Sequence, residues 1–173
     1  MKSIKATEID KQIVFDIEYQ VEGGDYKQAL ASVREAESTK GDMLASSALF
    51  LAVKARVLNL MGDYSSALQS AEEAFRLARN DADNDLVAKI QTESAKANLA
   101  KGKTEIAQRE YRDVIAAYRR SGNTNGIIDT LNRLAQISFI NGDFSGAENL
   151  LNEALDYAQQ NGLSERVAKL TGN

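Results

Sequence analysis

Gly62-Asp63-Tyr64, with Ala67-Leu68 behind it, is one of four copies of a single phrase. The first copy is Gly24-Asp25-Tyr26 with Ala29-Leu30. The third is a decayed Gly102-Lys103-Thr104 with Ala107, and the fourth is Gly142-Asp143-Phe144 with Ala147. The glycines stand 38, 40 and 40 residues apart. A period in that range marks a solenoid, whose units bury their apolar faces against their neighbours. Each copy carries the chemistry of a corner between two helices. Glycine tolerates the left-handed conformation at a helix C-terminus, and aspartate accepts hydrogen bonds from the free N–H groups that open the next helix.

Outward from that corner the periodicity is helical. Between Leu49 and Met61 apolar residues fall in nearly every turn, which suits a helix buried on more than one side. After the corner, Tyr64, Ala67, Leu68, Ala71, Ala74, Phe75 and Ala78 trace one face of a helix over 64–80. The same reasoning predicts helices at 6–22, 25–39, 42–61, 83–101, 104–120, 124–141 and 144–161. Polar, glycine-marked turns separate the pairs at Lys40-Gly41-Asp42, Asn80 to Asp83, Ser121-Gly122-Asn123 and Asn161-Gly162. A short helix over 163–171 carries Leu163, Val167 and Leu170 on one face. The expected fold is all-α: a single array over 1–173 of four antiparallel helix pairs, at 6–39, 42–80, 83–120 and 124–161, closed by a capping helix.

Composition narrows the function. Hydrophobic residues make up 43% of the 173, enough for a continuous core. No apolar run approaches the roughly 18 residues that span a bilayer, and Met1-Lys2-Ser3-Ile4-Lys5 leads into charged residues and not into the apolar core of a signal peptide. A cytoplasmic protein is expected. With no Cys and no His, the disulfide framework, the thiolate metal site, the commonest metal ligand and the usual general base are all missing. The net charge is −4, and the one basic stretch, eight basic against four acidic residues over 89–120, falls far short of a nucleic-acid footprint.

These residues resemble tetratricopeptide repeats over essentially the whole chain. The family's small residue in the first helix of a pair, facing an alanine in the second, is matched by Ala55 with Ala67, Ala95 with Ala107 and Ala135 with Ala147. Tyr26, Tyr64 and Phe144 match its aromatic after the turn, and Ala36, Ala74 and Ala154 its later alanine. Ile17 departs from the small position, so a looser first pair is expected, and Thr104 and Val114 depart in the third repeat. The period exceeds the common 34 residues, so the chain is similar to the longer, roughly 40-residue variety. The resemblance implies a right-handed superhelix of helix pairs, an α-solenoid.

Several fragments imitate chemical motifs. Lys101-Gly102-Lys103-Thr104 has the end of a P-loop, but Ala97 stands where the leading glycine is needed. Asp81, Asp83 and Asp85 have the spacing of a calcium loop, but Leu86 and Thr92 occupy the places of its glycine and glutamate, so Asp83 reads better as an N-cap. Glu35, Glu37, Glu72 and Glu73 read as solvated faces, and Tyr111 and Tyr118, two turns apart, as core. No enzyme and no cofactor are expected.

In such arrays the first helix of each pair lines the concave surface, and the resemblance implies that an extended peptide or a partner helix binds there. Aligning the copies gives the rows Val14, Ala52, Thr92, Asn132; Glu18, Arg56, Lys96, Gln136; Val21, Asn59, Leu99, Phe139; and, outermost, Lys11, Leu49, Lys89, Asp129. The candidate binding residues are Arg56, Asn59, Lys89, Lys96, Asn132, Gln136 and Phe139. Their amides suit a peptide backbone and their cations an acidic or extended segment. Val14 and Glu18 stand where the family's chaperone-binding clamp has Lys and Asn, which disfavours that ligand. The expected function is a non-catalytic scaffold or adaptor with a protein or peptide partner, and no nucleic-acid or membrane partner. The alternative is the peptide-sensing domain of a bacterial regulator, whose DNA-binding part would lie outside the five or so residues before the first expected helix. The apolar Ile9, Ile13, Val14, Phe15 and Ile17 also predict a homodimer through the N-terminal helix.

Overall fold

Nine helices run through residues 8–79 and 83–171, which the computed structural model describes: α1 (Glu8–Glu22), α2 (Tyr26–Leu44), α3 (Ala48–Leu60), α4 (Tyr64–Ala78), α5 (Asn84–Ala100), α6 (Thr104–Ser121), α7 (Thr124–Ile140), α8 (Phe144–Gln160) and α9 (Ser164–Thr171). Among these residues there is no strand. The expected turn at Asn80 to Asp83 lies outside the description except for Asp83 itself, which caps α5 by accepting from the N–H groups of Asp85 and Leu86. Asp81 is likewise not described.

The Gly-Asp corner works from both sides. At Gly62 the backbone takes φ +80°, open to glycine without strain. The Gly62 N–H then reaches the Asn59 carbonyl at 3.1 Å and the Asp63 N–H the Leu58 carbonyl at 2.9 Å, closing the end of α3. The Asp63 carboxylate accepts from the Ser66 N–H at 3.2 Å and so opens α4. Hydrogen bonds from the Ser66 side chain and backbone hold this carboxyl below its ordinary range. The same two C-terminal bonds recur at the other three corners, but at the decayed one Lys103 gives α6 no side-chain cap.

One corner falls elsewhere than expected. Instead of turning at Lys40-Gly41-Asp42, the chain kinks at Lys40 (φ −140°, ψ 25°) and stays helical to Leu44, and Ser47 caps α3. Burial explains the shift. Leu44 is fully buried in one cluster with Val14, Ile17 and Phe50, and ending the helix at Gly41 would forfeit about 1.5–3 kcal/mol for that side chain.

Successive helices pack antiparallel along the array, and the core runs its length as linked clusters. The small positions Ala55, Ala67, Ala95, Ala107, Ala135 and Ala147 are all buried. Ile17 is buried too, and α1 meets α2 over a shorter stretch than α3 meets α4, as the larger side chain requires. On α4 the alanines do the burying, while Phe75 turns outward. Between α5 and α6, Glu110 accepts from Ser94 Oγ at 2.7 Å and Asn98 Nδ2 at 2.9 Å, so these polar groups are satisfied inside the pair.

Spacing between first helices is uneven, and that unevenness makes the site. Helices α1 and α3 touch, as do α3 and α5, but no Cα of α5 lies within 8 Å of one in α7. The cause lies in the helices beneath. Helix α4 presents Ala71, Ala74 and Ala78, whereas the matching positions of α6 are Tyr111, Val114 and Tyr118, all buried. The bulkier set holds α7 away from α5. Gly126 completes the fit, since a Cβ there would meet the Tyr118 ring at 2.7 Å.

Candidate binding groove

Where α7 stands off, a groove of about 500 Å³ opens across the first helices. Its walls carry residues of α1, α3, α5 and α7, and Tyr118 of α6 forms part of the floor. Burial raises the Tyr118 phenol above its ordinary range, with the nearby Asp85 carboxylate acting in the same direction. The floor is therefore uncharged at neutral pH.

The lining is charge-balanced and not basic. Arg56, Lys89, Lys96 and Arg133 are offset by Glu18, Glu22, Glu93 and Asp129. Arg56 Nη1 lies 3.8 Å from Glu18 Oε1, Lys89 Nζ 3.5 Å from Asp85 Oδ2, and Lys96 Nζ 2.6 Å from Glu93 Oε1. Asp129 is met from α9 by Arg166 at 2.5 Å. Arg133, exposed on α7, forms no ion pair among the described residues.

These pairs differ in what an incoming group can do to them. Exposed ion pairs contribute about 0–1 kcal/mol, so a ligand carboxylate can take the place of Glu18 or Asp85 at little cost. Glu93 is buried, and Asn59 Nδ2 donates to both its Oε2 and its backbone carbonyl at 2.9 Å. Taking its partners away would cost about 3–5 kcal/mol. Glu93, Lys96 and Asn59 therefore brace α3 against α5, while Arg56, Lys89 and Arg133 are free to exchange partners.

The residues expected from sequence divide between two places. Arg56, Lys89 and Lys96 line the groove, and Asn59 is turned into the α3–α5 brace. Asn132, Gln136 and Phe139 line a second, apolar hollow of about 390 Å³ with Ala135, Ile140, Ala147 and Leu151. Sequence reasoning missed Glu93, Arg133 and Tyr118. A fifth aligned row, Phe15, Val53, Glu93, Arg133, would have found the first two, being one residue along from the Val14 row. No group of three or more Asp and Glu side chains among the described residues converges in a way that could hold a metal ion.

Solved structures share the overall fold. The TPR-like repeats of a Podosopora anserina kinesin light chain superpose with a TM-score of 0.68 at 14% identity, over 96% of this chain and 94% of that one. The chain has the fold of a tetratricopeptide-like α-solenoid. MamA matches with a TM-score of 0.65 at 13% identity, over 88% of this chain and 80% of MamA. BtubC from P. vanneervenii gives 0.61 at 20% identity, and there the match spans 95% of this chain but 63% of BtubC. No family model matches the chain, and no curated protein matches it in sequence.

Proposed function

We propose that this chain is a non-catalytic, cytoplasmic protein-interaction module, one array over its whole length, that holds an extended protein segment in the groove between α5 and α7. The observation that carries this is the standoff of α7, which opens a concavity lined by four successive first helices. The ligand lies across α3, α5 and α7. Its carboxylates meet Arg133, Lys89 and Arg56, and its basic groups meet Asp129 and Glu22. With as many anions as cations in the lining, the preferred segment is mixed in charge and extended, and not simply acidic.

Selection from a displayed peptide library tests the reading. Peptides enriched on the wild-type protein should lose at least tenfold in affinity for Arg133→Glu with Lys89→Glu, two exposed positions whose replacement leaves the fold intact by circular dichroism. Equal binding to both proteins would place recognition elsewhere and remove the groove assignment.

A further inference from the structure

The two ends of the array expose apolar residues at positions that are buried inside it. Tyr19 on α1 is 73% exposed, yet the same position in later first helices holds Val57, Ala97 and Ile137, all buried. Ile9 is 49% exposed where Ser47 and Ile127 are buried. At the other end, Leu151 on α8 is 38% exposed, whereas its counterparts Val33, Ala71 and Tyr111 are each 1% exposed. Helix α9 covers part of this end through Leu163, Val167 and Leu170 and leaves open the hollow of Phe139 and Leu151.

An internal junction supplies the register. Asn59 of α3 bonds Glu93 of α5. Phe139 occupies the repeat position of Asn59, and Phe15 that of Glu93. Continued past the end of the array, the pairing that joins α3 to α5 sets Phe139 against Phe15. Both phenylalanines are more than 60% exposed.

We propose that a second copy of this chain seats the outer face of its α1 on the α7–α8 face, with Phe15 against Phe139, so that arrays stack end to end. The contact is heterologous, each copy using two different surfaces. Helix α9 competes for the seat. It lies over the part that Ile9 to Ile13 would take, held by the exposed Arg166–Asp129 pair and by half-buried Leu163, Val167 and Leu170. The proposal does not depend on what the groove binds.

The chain has no cysteine, so engineered thiols report the contact directly. Phe15→Cys and Phe139→Cys proteins are treated with a short bis-maleimide, separately and as an equal mixture. The expected result is a covalent dimer in the mixture alone, with a yield that rises severalfold when Arg166→Glu sets a carboxylate against Asp129 and loosens α9. Dimer from Phe15→Cys alone would mean that two α1 helices pair side by side, and would overturn the proposal. So would a mixture that stays monomeric at high micromolar concentration even with α9 loosened. Mixture-specific dimer with no response to Arg166→Glu would support the contact and overturn the role of α9.

Discussion

A methyl group added at Gly126 would land 2.7–2.8 Å from three ring atoms of Tyr118. Carbon atoms rest about 3.5–4.0 Å apart, so the ring or the start of α7 must move by about 0.8 Å. The ring is buried in the largest core cluster, between α6 and α7, and has little room to yield. Overpacking of this kind costs about 1–3 kcal/mol. Against it, alanine is favoured over glycine inside a helix by about 1 kcal/mol. Gly126→Ala should therefore lower stability by about 0–2 kcal/mol in the native background. In a Tyr118→Ala background the clash is gone, and the same substitution should raise stability by up to about 1 kcal/mol. The double-mutant cycle, read from urea denaturation midpoints at constant m-value, should give a coupling of about 1–3 kcal/mol. A coupling within about 0.5 kcal/mol of zero would mean that Tyr118 and Gly126 do not constrain one another, and the explanation of the groove by bulk on α6 would fall with it.

Three further outcomes follow from the geometry. Lys103→Asp restores the Gly-Asp corner where φ −86° and ψ 62° already match those of Asp63 at −85° and 71°, and should raise stability by about 1 kcal/mol in urea melts. Lys96→Met leaves the Glu93 carboxylate with Asn59 as its side-chain partner and should cost about 1–3 kcal/mol, most of it recovered when Glu93→Gln is added; no recovery would deny Glu93 its role in the brace. Burial pushes the Tyr111 phenol up to about 12. Because the folded state holds that proton more tightly than the unfolded chain, its contribution is complete below about pH 10 and is lost as pH rises toward 12. Absorbance near 295 nm should show a late phenol ionisation coinciding with alkaline unfolding, and Tyr111→Phe should shift that unfolding to higher pH.

The corners were legible in the sequence because their chemistry is local: a glycine at positive φ and an aspartate three residues before the N–H it accepts can be read from a few letters. Gly41 misled for the complementary reason. Its effect was overridden by the burial of Leu44, a tertiary term that no local signal carries. The groove was half legible. Repeat alignment put Arg56, Lys89 and Lys96 on one surface, and all three line the groove, since quasi-equivalent positions share a direction. It could not show that these cations already face carboxylates, which depends on rotamers, nor that α7 stands apart. That gap arises from tyrosines in α6 facing the places where α4 has alanines, a comparison of volumes across two repeats and not a pattern within one.

Because α5 and α7 share no close backbone approach, the last helix pair is tied to the rest of the array mainly through α6. In mechanical terms α6 is the strut between them. Any load passed between the last pair and the helices before it runs through α6, which packs more extensively against α5 than against α7. The seating of α7 on α6 therefore sets how wide the groove stands.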